Sequence, residues 1–176
     1  MNRKTKQIVL TALFAALTCV ATMVIRIPVP STGGYIHPGD ALVILCGIFL
    51  GPVYGFLAAG IGSGMADFFG GYFFYVPATF LIKGLIAGLT ALAYRRVVHL
   101  PKGRIVGVVL GGLIDTLLVA GGYFAFEYFF YGWGAVASVI PNTVQGLSGL
   151  IIALVLSPAL AALPNDMLQQ RLGHQN

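Results

Sequence analysis

Long apolar stretches alternate with short polar breaks along this chain. The apolar runs cover 8–25, 41–66, 72–94, 105–130 and 134–163. Each is long enough for a helix to cross a bilayer, which takes about 20 residues. The second run contains Gly51-Pro52. Proline suits the first turn of a helix and disrupts its interior, so the run is expected to split there. Six spans are then predicted, at about 7–26, 39–50, 52–70, 74–95, 105–130 and 134–163. The segment 39–50 is short, about 18 Å at 1.5 Å per residue against a hydrocarbon core of about 30 Å. It follows a Pro/Gly-rich loop, 27–39. Such irregular backbone is tolerated at membrane depth only beside a cavity or inside protein. A binding site at the outer face is the resulting expectation.

Composition agrees with the pattern. Of 176 residues, 58% are hydrophobic and 9% charged, with mean hydropathy +0.91. A soluble domain carries about 25% charged residues, so residues 1–176 read as one all-α integral membrane domain of a multi-pass cell-membrane protein. The first run follows a basic start but is long enough to span and lacks a convincing cleavage site, so it is read as a retained helix and not a signal peptide. Charge sets the orientation. Arg3, Lys4 and Lys6 place the N-terminus in the cytoplasm by the positive-inside rule. Five spans would leave Arg95, Arg96, Lys102 and Arg104 outside; six put them, Arg171 and both termini inside. The net charge of +5 therefore reflects topology and gives no reason to expect nucleic acid. Cys19 and Cys46 lie in apolar runs and read as packing residues, so neither a disulfide nor a metal site is expected, and no cofactor is implied.

The remaining polar residues are few, and ionisable groups within a bilayer are expensive enough to indicate function. Counted by helical rise from the outer ends, Lys83, Tyr123 and Asn142 lie roughly 10–14 Å deep. Gln145 shares a face with Asn142 at i, i+3. Asp67 and Glu127 sit near the outer boundary, and Asp115 lies deeper. Asp40 follows Pro38-Gly39 and reads as a helix N-cap. Lys83 is either a ligand contact or one half of a structural ion pair with Asp115 or Glu127. A concave, mostly apolar site with a few directed polar groups is what a small molecule requires. The candidate binding residues are Lys83, Asn142, Gln145, Tyr123, Glu127, Asp67, Tyr75 and His37. Many rim aromatics, Tyr72 to Tyr75 and Tyr128 to Trp133 among them, also suit an interfacial belt. In the first span, "TALFAALTCVA" places Ala12 and Ala16 four apart, a small-residue face that lets another helix approach closely.

Taken together, the Ala12-Leu-Phe-Ala-Ala16 face, the size, the six expected helices and the block "GGYIHPGDALVILCGIFLGPVYGFLAAGIGSGMADFFGGYFFYVPATFLIKGLIAGL" resemble one family over nearly the whole chain. It is the S components, the substrate-binding subunits, of energy-coupling factor (ECF) vitamin transporters. The block resembles the riboflavin group, which includes hydroxymethylpyrimidine- and pyridoxine-type members. The resemblance implies six helices with a substrate site near the outer face, roofed by the first outer loop. It implies docking of the Ala12/Ala16 face on a transmembrane T subunit driven by two ATPases. Pyridoxine or hydroxymethylpyrimidine is the expected vitamin-type ligand, with riboflavin the alternative. No Walker motif is present, so any ATP would be hydrolysed by a partner.

Two rival classes fit less well. "GIGSGM" around Ser63 faintly resembles an intramembrane serine protease, but a serine nucleophile needs a nearby base. His37, His99 and His174 fall in expected loops or the tail. A stand-alone secondary transporter or channel is disfavoured by the small number of spans and the lack of an internal repeat.

Overall fold

In the computed structural model, residues 2–29 and 33–161 are described. Arg171, His174 and the end of the expected span 134–163 lie outside them. Helix α1 runs Arg3–Val24, and the Asn2 side chain accepts a bond from the Lys4 backbone N–H at its start. Two three-residue strands follow, β1 (Ile27–Val29) and β2 (Gly34–Ile36), paired antiparallel with Pro28 opposite Tyr35. Then come α2 (Asp40–Gly70), α3 (Val76–Val97), α4 (Gly103–Tyr131), a 3₁₀ turn (Gly132–Ala135) and α5 (Val136–Ala161).

The count of six spans is not supported. The stretches expected at 39–50 and 52–70 join into one helical element, α2, without an intervening loop. Among the described residues, four stretches suffice by length and hydropathy to cross a membrane: Lys4–Val24, Asp40–Gly70, Val76–Val97 and Gly103–Pro158. The last contains both α4 and α5. The first arm of α2 is too short to cross alone, being about 16 Å long at 1.5 Å per residue.

A break does fall at Gly51, where φ is 80° and ψ −177°. A side chain there would be strained, whereas glycine adopts positive φ at little cost. The turn is sharp. A Cβ added at Gly55 would lie 2.8 Å from the Cys46 carbonyl oxygen. Along a straight helix, nine residues would separate them by roughly 13 Å. The chain therefore doubles back, and the two arms of α2 pack against each other. Their interface supplies Val43, Cys46, Leu50, Ala58 and Ala59, which cluster with Ile86 and Ala87 of α3 and Val119 of α4.

Lipid is as apolar as leucine, so close packing holds such helices together. A Cβ at Gly62 would lie 2.4 Å from the Ala15 carbonyl oxygen, and one at Gly47 would lie 2.2 Å from that of Ala87. Both glycines thus let neighbouring helices approach more closely than any side chain would permit. Helix α1 packs least, with 11% of its spanning window buried against 56% for α2. Ala12 and Ala16 lie on its exposed side. The β-hairpin sits at one end of the bundle with the α2–α3 turn. Lys4, Lys6, Arg95, Arg96, Lys102 and Arg104 belong to helix ends and a turn at the opposite end.

Candidate binding site

Beneath the β-hairpin lies a cavity of about 400 Å³ of open space, its mouth included. Val29, Gly34, Tyr35 and His37 roof it; Asp67 of α2 and Tyr75 and Thr79, at the start of α3, form one wall. Tyr123 and Glu127 of α4 and Ser138, Asn142 and Gln145 of α5 complete it. Seven of the eight sequence-expected binding residues therefore converge on one cavity. The spacing explains this: Tyr75 and Thr79, Tyr123 and Glu127, and Asn142 and Gln145 are each three or four apart and share a helix face.

Lys83 is placed differently. It is fully buried, is not among the lining residues, and donates to Asp40 Oδ1. Asp40 is the first residue of α2 and not its N-cap, which is Gly39 and offers no side-chain cap. This corrects the sequence expectation for Asp40. Its second oxygen accepts from the Gln145 amide at 2.8 Å, and Gln145 Oε1 accepts from the His37 backbone N–H at 2.9 Å. His37 Nδ1 in turn accepts from the Gly39 N–H at 3.1 Å. The chain of bonds ties α3, α2, α5 and the roof together directly under the cavity. Burial pushes the His37 imidazole down to about 4, well below its ordinary value. The ring is therefore neutral at neutral pH, as its acceptor role requires. The Lys83 ammonium lies 5.8 Å from the ring centroid of Tyr123, which lines the cavity.

The cavity walls are bonded more sparsely. Tyr35 donates to Asp67 Oδ1 at 2.6 Å, and burial with the neighbouring Asp67 raises the Tyr35 phenol well above its usual range. Thr79 and Tyr123 share a hydroxyl–hydroxyl bond of 2.9 Å. Tyr75 donates to Glu127 Oε1 at 3.0 Å, while Glu127 Oε2 is buried without a hydrogen-bond partner among the described residues. Asn142, which is 6% exposed, turns into the same space. Outside the roof, Arg26 donates to the Ala66 carbonyl at 3.1 Å and stacks over Tyr35 at 5.0 Å.

Sequence reasoning missed Tyr35, Thr79 and Ser138, and it missed the role of Asp40. A tyrosine two residues before the His37-Pro38-Gly39-Asp40 run was the available signal for the first. Ser63 is buried and is not among the residues lining the cavity. Asp115 is fully buried, with neither carboxyl oxygen hydrogen-bonded among the described residues. Among those residues no group of three or more His, Cys, Asp or Glu is arranged to hold a metal.

Comparison with known proteins bears on what this cavity holds. A family model described as "ECF-type riboflavin transporter, S component" matches residues 2–162. The thiamine precursor transporter HmpT of Lactococcus lactis subsp. cremoris is 30% identical over 167 residues, covering 90% of each chain. An uncharacterized protein from Pyrococcus woesei is 38% identical over 135 residues, 76% of this chain and 86% of its own. Among solved structures, the S component of a bacterial ECF transporter aligns with a TM-score of 0.63 at 18% identity. The alignment covers 90% of this chain and 97% of that one, a likeness of fold.

Proposed function

The chain belongs to the family of ECF-type riboflavin transporter S components, and we propose that its ligand is hydroxymethylpyrimidine, imported at the expense of ATP hydrolysed by partner subunits. S components serve vitamin or precursor uptake in a multi-pass membrane setting. The observation that carries the choice of ligand is the 30% identity to a thiamine precursor transporter over 90% of both chains. The cavity supports it. Tyr75, Tyr123 and Tyr35 offer ring faces, while Asn142, Glu127 and Asp67 offer directed polar atoms.

In this reading Lys83 does not touch the ligand. It holds Asp40, and through Asp40 and Gln145 it positions the cavity floor and the His37 end of the roof. The cations gathered at the end away from the cavity support a cytoplasmic N-terminus and an outward-facing roof by the positive-inside rule. The exposed Ala12/Ala16 face of α1 supports docking on a transmembrane T subunit that works with two ATPase subunits. Ala16→Trp is expected to abolish ATP-driven uptake in the assembled transporter while leaving ligand affinity within twofold. Loss of affinity as well would assign that face to internal packing.

Calorimetric titration of the purified chain with hydroxymethylpyrimidine, pyridoxine and riboflavin tests the ligand. Hydroxymethylpyrimidine is expected to bind at least tenfold more tightly than either of the others. Tighter binding of pyridoxine or riboflavin would replace the proposed substrate.

A further inference from the structure

The cavity's hydrogen-bonding capacity is lopsided. Glu127 is 2% exposed; one carboxyl oxygen is held by the Tyr75 hydroxyl, and the other has no partner among the described residues. Leaving such a buried acceptor unmet costs free energy comparable to a lost hydrogen bond, so an empty acceptor in a binding cavity marks where a donor belongs. Asp67, a second carboxyl in the lining, is already engaged by Tyr35. Gln145 has both ends of its amide used, one by Asp40 and the other by His37. Ser138 spends its proton on the Ala135 carbonyl.

Positive charge is absent from this space. No Lys or Arg is among the residues lining the cavity. Lys83 is paired to Asp40, and Arg26 donates to the Ala66 carbonyl. His37 is neutral there because its Nδ1 accepts the Gly39 N–H. Two directed groups are therefore still on offer, the Asn142 amide and the second oxygen of Glu127; the latter is an acceptor with acidic character, held in place by Tyr75 between α3 and α4.

We propose that Glu127 is the specificity-determining residue, its Oε2 accepting a hydrogen bond from an amino group on the ligand ring. This rests on the substrate reading above and deepens it. The amino substituent distinguishes an aminopyrimidine from pyridoxine, whose ring carries one hydroxyl and two hydroxymethyl groups and no amine. Tyr75 is the positioning residue, fixing the carboxyl so that its second oxygen faces the ligand. A site built around one hydrogen bond to a substituent rejects the analogue that lacks it, because the buried group is then left unpaired.

Two titrations test the proposal on the full chain in detergent. First, wild-type protein is titrated with hydroxymethylpyrimidine and with the same ring bearing hydrogen in place of the amino group. The des-amino ring is expected to bind about tenfold to a hundredfold more weakly. Second, Glu127→Gln is titrated with both ligands. The amide presents either the oxygen or the NH₂ to the ligand, so the amino ligand is expected to lose about tenfold or more while the des-amino ring changes less than threefold. The apo unfolding temperature of the variant monitors folding. Equal wild-type affinity for the two rings overturns the role of Glu127 and leaves the substrate assignment standing. Equal loss of both ligands in the variant also overturns it, making Glu127 a packing residue. Failure of wild-type protein to bind either ring overturns the substrate assignment, and this inference with it.

Discussion

Two buried polar layers lie one above the other in this protein. The lower one, Lys83, Asp40, Gln145 and the His37 backbone, is joined bond to bond across α3, α2, α5 and the roof. The upper one, around Glu127 and Asn142, has capacity to spare, with Glu127 Oε2 unmet among the described residues. The same residue types and nearly the same depth thus serve opposite purposes. A closed network fixes helices against one another, whereas an incomplete one waits for a ligand. Burial alone does not separate the two; an unmet group must also line the cavity, as Glu127 does and the buried, unpartnered Asp115 does not.

The largest expected effect comes from breaking the closed layer. Lys83→Met leaves Asp40 buried without its cation, and removing one partner of a buried pair costs about 3–5 kcal/mol. The apo protein should unfold at a markedly lower temperature, and the double variant Lys83→Met/Asp40→Asn should recover part of the loss. Unchanged apo stability with weaker binding would move Lys83 into the cavity layer and erase the distinction between the layers.

A smaller effect tests where the layers meet. With the His37 imidazole held near 4 in the folded state and near 6.5 when unfolded, protons bind the unfolded chain first. Stability is therefore full above about pH 6.5, falls as pH drops towards 4, and levels off below that. The span of about 2.5 units corresponds to roughly 3 kcal/mol at most. His37→Gln should flatten the unfolding-temperature profile between pH 7 and 5. A wild-type profile already flat across that window would show that the ring is not buried against the floor.

The smallest effect on folding, and a clean one on binding, is expected at Asn142. Asn142→Ala should weaken ligand binding by about tenfold and move apo stability little, since no described residue depends on its amide. A variant that destabilised the apo protein as much as Lys83→Met would assign Asn142 to the closed layer.

The contrast between the layers also explains what the sequence could reveal. Helical rise brought Lys83, Tyr123 and Asn142 to one level, with Gln145 on the same face as Asn142 and Glu127 nearer the outer boundary, because depth along a helix follows directly from residue number. The Gly51-Pro52 break was legible for the same local reason. The partner of Lys83 was not. Asp40 is 43 residues away, and its pairing depends on the chain doubling back at Gly51. Its place after Pro38-Gly39 instead imitates a helix cap. The span count failed because composition marks where a helix breaks and is silent on the angle at which the chain resumes. The roof was expected as an irregular loop, since three-residue strands are too short to carry a period-2 signal.

That roof is pinned to three separate places. Arg26 reaches the Ala66 carbonyl, Tyr35 reaches Asp67, and the His37 backbone reaches Gln145. At about 1 kcal/mol net for each bond, lifting it costs roughly 3 kcal/mol, so the raised form has a population of order one in a hundred. Capture and escape would both pass through that minority form. Cutting one tether, as in Tyr35→Phe, should then quicken association and dissociation together by about fivefold, changing how long a ligand stays while leaving the equilibrium affinity nearly where it was.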